Sequence, residues 1–271
     1  MRTTRIRFLR PGGLLAVVLA TLQCIGQAGA TSSNTDVSDI WYNPSESGWG
    51  MQMVNTGTFV FATLYVYGTD RKPTWFTGQL TRTGASQVTY SGPLYANTGP
   101  YFGGPFNPNN VDGRQVGSMT FVLTAVSNGE LSYTVDGVPV NNKPVQRQPL
   151  TLDNYTGSYN AILSQTVTGC TNPANNGTST INGTVNIAQN GTSILLTTSF
   201  GSGSCTNNGT YSQLGRMGTV QGTYSCTWGE MGTVTLFEMN IVPYMFTSRM
   251  ETHSPNFGCN ADAEIVGLYP R

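Results

Sequence analysis

Charge is what this chain has least of: only 10% of its residues are Asp, Glu, Lys or Arg, and His253 is the single histidine. Each shortage removes a class of chemistry. A Ser-His-Asp relay would have to be built on His253, yet the surrounding Glu251, Thr252, Ser254 and Pro255 read as an exposed loop, and no G-x-S-x-G elbow occurs. A zinc site would find neither a second histidine nor a C-x-x-C pair. No glycine-rich phosphate loop leads from a strand into a helix. The chain is therefore expected to work without a metal or a cofactor. Apolar runs are also short. None reaches the ~20 residues of a membrane-spanning helix, and beyond the N-terminus no amphipathic helical repeat is found.

The N-terminus has its own logic. Arg2, Arg5, Arg7 and Arg10 precede a nine-residue apolar core at positions 14–22, and Ala28-Gly29-Ala30 follows as a small-residue cleavage site. This pattern predicts a signal peptide over residues 1–30, cut after Ala30, and a protein of the periplasm or the medium. The core is too short for a membrane anchor. Cleavage would leave nine basic against thirteen acidic residues, a net charge of −4, which disfavours nucleic acid as a partner. It would also remove Cys24 and leave Cys170, Cys205, Cys226 and Cys259, an even number that reads as two disulfides in an oxidising compartment.

Thr, Ser, Asn, Gly and Tyr are plentiful, and they fall in short alternating runs separated by turn residues. Residues 50–54, 58–67, 74–81, 87–95, 118–124, 131–135 and 138–147 read as strands, joined by turns such as Ser127-Asn128-Gly129 and Asp136-Gly137. After a polar bridge the pattern restarts over 155–163, 183–189, 194–200, 209–213, 220–226, 233–242, 245–251 and 263–269. The expected fold is all-β: two antiparallel up-and-down barrels or curved sandwiches of about eight strands each, over residues 31–150 and 151–271. Closure removes the edge strands that an open meander would expose. In such a meander the first and last strands are neighbours. Of the three possible connectivities, Cys170–Cys259 across the seam with Cys205–Cys226 between adjacent strands is expected.

Several local features stand out. Residues 58–67 are apolar on both faces, which predicts a strand covered twice. Residues 96–117, with Tyr101, Phe102 and Phe106, suggest a long ordered loop. Asn-Gly-Thr begins at Asn176, Asn182, Asn190 and Asn208; each is a glycosylation acceptor or, more simply, a hairpin turn. Glu46, Asp70, Glu130, Asp136, Glu230 and Glu238 are the candidates if a carboxylate pair does glycosidase chemistry. In residues 233–242 either Val234, Leu236, Glu238 and Asn240 face inward or Phe237, Met239 and Ile241 do, and the second set is the larger and wholly apolar one.

Trp41-Tyr42-Asn43-Pro44-Ser45-Glu46-Ser47-Gly48-Trp49-Gly50, followed by Phe59-Val60-Phe61-Ala62-Thr63, Tyr67 and Pro73-Thr74-Trp75-Phe76, resembles a W-[WY]-N-P-x-E-S-G-W-G module of exported, largely uncharacterised bacterial proteins. The resemblance covers roughly residues 38–150, with Lys72 where the module has Gly, and it implies organisation and export but no reaction. A topological resemblance to calycin-type barrels implies that Arg147 covers the Trp41 ring and bonds nearby carbonyls, with Tyr159 and Arg271 in the same part in the second domain. Around the motif turn, Trp41 and Trp49 either plug a barrel end or line an aromatic mouth. The functional expectation is a non-enzymatic protein that binds a small ligand, glycan or protein partner through Trp41, Tyr42, Glu46, Trp49, Trp75, Tyr101 and Phe102. A secreted carbohydrate-active hydrolase and a structural or inhibitory envelope protein are the alternatives.

Overall fold

A computed structural model describes residues 35–84, 87–201 and 203–270; the expected leader and Arg271 lie outside the described residues. The period-two alternation resolves into sixteen strands in two closed antiparallel barrels. The first consists of β1 (Asp39–Tyr42), β2 (Gly50–Asn55), β3 (Phe59–Tyr67), β4 (Pro73–Arg82), β5 (Thr89–Thr98), β6 (Asp112–Ala125), β7 (Asn128–Val135) and β8 (Val138–Arg147). The second consists of β9 (Gly157–Thr168), β10 (Gly177–Asn190), β11 (Ser193–Phe200), β12 (Gly203–Leu214), β13 (Met217–Cys226), β14 (Met231–Val242), β15 (Met245–Ser254) and β16 (Cys259–Leu268). The two compact units divide between Leu150 and Thr151, except that Leu214–Arg216 group with the first.

No α-helix occurs among the described residues. The only helical pieces there are 3-10 turns at Pro44–Glu46, Pro108–Asn110 and Pro173–Asn175. All three are Asn-Pro starts. Asn43, Asn107 and Asn172 each accept a bond from the backbone N–H two residues on, and proline presets the φ of the first turn residue.

Side chains fill the first barrel. Trp41, Met51, Leu64, Leu80, Phe121 and Leu131 are closed off from solvent, and the Trp41 and Phe121 rings meet edge to face at 4.9 Å. The seam is narrow: β1 pairs with β8 only at Trp41–Arg147 and Tyr42–Gln146. Arg147 bolts it. Its guanidinium lies 4.7 Å from the Trp41 ring centre, as expected of this pair, and donates to Asp39 at 2.8 Å. It also donates to the carbonyls of Val126 at 2.8 Å and Asp36 at 2.6 Å. Burial pushes the Arg147 guanidinium down, and the Asp39 carboxylate pushes it back up. Every N–H of a buried cation needs such a partner, because an unpaired one costs several kcal/mol.

The second barrel closes differently. β16 and β9 share nine register pairs, and the Cys170–Cys259 disulfide clamps the end of that seam. Cys205–Cys226 joins β12 and β13, so both expected disulfides are present. Tyr159 donates to the carbonyl of Tyr155, four residues back, just as the Trp41 indole donates to Val37. Tyr269 covers Tyr159, with ring centres 4.5 Å apart and hydroxyls at 3.0 Å. Tyr155, Tyr159, Phe200, Tyr211 and Phe246 fill this interior.

Four expectations need correction. β3 is covered once, not twice: Val60, Ala62 and Leu64 are buried, while Phe61, Tyr65 and Tyr67 are 41%, 47% and 58% exposed. The long loop shrinks to residues 99–111, because β5 and β6 run further than their alternation suggests. Of the four Asn-Gly-Thr starts, Asn190 lies at the β10–β11 hairpin turn and Asn176 ends the β9–β10 connection. Asn182 and Asn208 stand inside strands, where a side chain on Gly183 would meet the Phe200 ring and one on Gly209 would meet Val220. In β14 neither face reading holds throughout. Val234 and Leu236 point inward, a bulge with positive φ at Glu238 then shifts the register, and Met239 is buried next.

Candidate functional site

The seven expected binding residues separate into four places. Trp41 is fully buried beneath Arg147 and is a plug, so it is removed from the candidate set. Glu46 and Trp49 stand at one end of the first barrel, Tyr42 and Trp75 on its outer wall, and Tyr101 and Phe102 on the β5–β6 connection.

At the barrel end, Glu46 closes the Pro44–Glu46 turn and faces back across Trp49. Its carboxylate accepts from the Trp49 indole at 3.0 Å and from the Lys143 ammonium, supplied by β8, at 2.6 Å. The Lys143 bond, then the Trp49 bond, holds the Glu46 carboxyl below its ordinary range. Trp49, Val66, Phe76, Ala96, Tyr133 and Val135 rest on the core yet keep part of their surface open. Burial, and then the Glu46 charge, pushes the Tyr133 hydroxyl up. This rim is apolar, with one ion pair and one phenol set into it. The opposite end is closed by Val37, Arg147 and Trp41, all without exposure. Lys143 and Tyr133 carry no sequence signal as site residues, since Lys143 is 97 positions from the carboxylate it pairs with.

On the outer wall, register sets Tyr42 opposite Gly50, Gly50 opposite Tyr65, and Tyr65 opposite Trp75. Tyr65 and Trp75 are 47% and 50% exposed. Tyr65 and Tyr67 escape a sequence-level search because their strand reads as doubly covered. Tyr101 and Phe102 pack ring to ring at 4.8 Å and point away from the core, with Phe102 91% exposed.

The reactive groups lie apart. His253 belongs to β15, not to a loop, and its ring faces Asn260 at 3.4 Å. Asp70 pairs with Lys72, Asp136 with Arg114, and Glu46 with Lys143. Glu230 is buried in the second barrel, where it accepts from Tyr224 at 2.8 Å and Trp228 at 3.1 Å. Among the described residues no cluster of three His, Cys, Asp or Glu could hold a metal, and no helix is long and apolar enough to cross a membrane.

No family model and no curated protein matches the chain. Two solved structures are similar in part. One is a "putative outer membrane protein" from Bacteroides fragilis NCTC 9343, at 12% identity and a TM-score of 0.34, over 84% of this chain and 94% of that one. The other is a protein of unknown function from the DUF3598 family of Nostoc punctiforme PCC 73102, at 9% identity and a TM-score of 0.29, over 91% of this chain and 100% of that one.

Proposed function

We propose that this protein is an exported, non-enzymatic binding protein, and that the Trp49 end of its first barrel receives a small ligand. The observation that carries the reading is the Trp49–Glu46–Lys143 bond chain set among half-open Val66, Phe76 and Tyr133. An apolar rim with a few fixed polar groups is the usual composition of a small-molecule site. Large side chains fill the barrel below the rim, so the ligand sits shallow. Lys143 spends one N–H on Glu46 and keeps others for an acceptor. The ligand therefore has an apolar body and a carbonyl or carboxylate head. Two disulfides in a chain of this composition support an oxidising compartment.

A thermal-shift panel of amphipathic acids, amides and aromatic acids tests this reading, with tryptophan fluorescence as the second readout. At least one member should raise the melting temperature of the full chain, and Trp49→Ala and Lys143→Met should each abolish that rise. A panel without response, or a response that survives both substitutions, overturns it.

A further inference from the structure

The outer wall of the first barrel carries a second arrangement that the barrel-end site does not use. Along one transverse row β8, β1, β2, β3 and β4 contribute Gln146, Tyr42, Gly50, Tyr65 and Trp75. All point away from the core, because the alternate residues Met51, Leu64 and Val145 are buried. Adjacent strands are about 4.8 Å apart, so Tyr42 and Tyr65 stand roughly 10 Å from one another with Gly50 between them. Gly50 has no side chain to fill that interval, and none can be added. A Cβ there would come within 2.6 Å of the Trp41 carbonyl oxygen. The result is a slot with a backbone floor and an aromatic residue on each side, and Trp75 extends the aromatic side by one strand.

The slot has defined limits. Gln146 donates to the Tyr42 hydroxyl at 3.4 Å, which ties that ring towards β8 and away from Gly50. Tyr67, 58% exposed, bounds one end, with its hydroxyl near Gly48. The next row contributes Gln52, Thr63 and Thr77, and the one after it Val54, Phe61 and Gln79. These rows contain no charged side chain. Aromatic rings stack on flat partners at roughly 4.5–7 Å between centres, so one ring seated over Gly50 is in reach of both Tyr42 and Tyr65.

We propose that this slot binds an uncharged glycan: one pyranose ring between Tyr42 and Tyr65, the next over Trp75. The neutrality of the wall selects the ligand class. A nucleic acid or an acidic polysaccharide would need cations that these rows lack. A purely apolar partner would leave the hydroxyl and amide groups of Gln52, Thr63, Gln79 and Gln146 without acceptors or donors. Sugar rings offer apolar C–H faces to the aromatics and hydroxyls to those amides.

Affinity electrophoresis and calorimetry of the full chain against cello-, xylo-, chito- and β-1,3-gluco-oligosaccharides test the proposal. At least one series should bind. Tyr65→Ala with Trp75→Ala should weaken it by about tenfold or more, as the loss of two stacking contacts implies. Tyr65→Phe with Trp75→Phe, which keeps the ring faces, should retain most of the affinity. Both side chains lie outside the core, so the melting temperature of each variant serves as the folding control. Phe102→Ala, an exposed aromatic of the β5–β6 connection that belongs to neither site, should leave glycan binding unchanged. Failure of every neutral series to bind, or equal binding by the double alanine variant, overturns the proposal.

Discussion

Arg147 pairs with Asp39 at 2.8 Å while its guanidinium lies 4.7 Å from the centre of the Trp41 ring, and the arginine side chain is entirely closed off from water. One cation thereby ties β8, β1 and the segment before β1 at a seam that has only two register pairs. Arg147→Ala would take the paired cation from the buried Asp39 carboxylate, which keeps backbone N–H bonds from Ile40 and Arg216. It would also leave the carbonyls of Val126 and Asp36 unmet, at a total cost of about 3–5 kcal/mol. Arg147→Lys should recover little, because one ammonium cannot reproduce the planar fork. Urea unfolding followed by tryptophan fluorescence gives the number; a loss below about 1 kcal/mol would contradict the role.

The second barrel replaces that cation with covalent bonds, and the two disulfides are not equal. Cys170–Cys259 closes 89 residues and Cys205–Cys226 closes 21. By chain entropy these loops are worth roughly 4.6 and 3.3 kcal/mol. The Cys170→Ser/Cys259→Ser variant should therefore unfold at lower denaturant than Cys205→Ser/Cys226→Ser. Reversal of that order would show that the seam is held mainly by its nine strand pairs.

Glu230 is a carboxyl with no exposure, and burial raises its pKa above the ordinary 4.5 despite bonds from Tyr224 and Trp228. The folded state thus holds the Glu230 proton more tightly than the unfolded chain does. The stability from this group is complete below pH 4.5 and is lost as pH rises through the folded value. Chemical denaturation across that window should show wild type weakening with rising pH relative to Glu230→Gln. Parallel pH profiles for the two proteins would refute it.

At the barrel end the sign is opposite. Lys143, then Trp49, lowers the Glu46 pKa, so Glu46 remains ionised below the pH at which a free glutamate protonates. Carboxyl NMR titration should place Glu46 below 4.5, and Lys143→Met should move it upward. An unchanged midpoint in that variant would mean that the ion pair at 2.6 Å is not populated in solution.

The fold was largely legible because alternation and turn chemistry act locally. Asp136-Gly137 and Asn190-Gly191 mark hairpins without reference to the rest of the chain, whereas Asn128-Gly129 falls inside β7, just past the turn at 126–127. The misreadings arose where a neighbouring strand decides. Gly183 and Gly209 look like turn glycines, yet each sits in a strand because another chain segment occupies the place of its side chain. Glu238 could not be assigned a face, since a bulge turns the strand partway along.

The candidate sites were legible only in part. Glu46 and Trp49 stand in a recognisable motif, but their partner Lys143 arrives from β8. Trp41 and Trp49 look alike in sequence, though one is a plug beneath Arg147 and the other a half-open rim.

The residues by themselves determined that the chain forms strands, where most of them turn and which cysteines can meet, because those follow from nearest-neighbour sterics and the closure of a meander. Tertiary structure decided which aromatic rings face solvent. Exposure depends on barrel register and on what each opposing strand presents, so no local pattern could set Tyr42, Gly50, Tyr65 and Trp75 in one row.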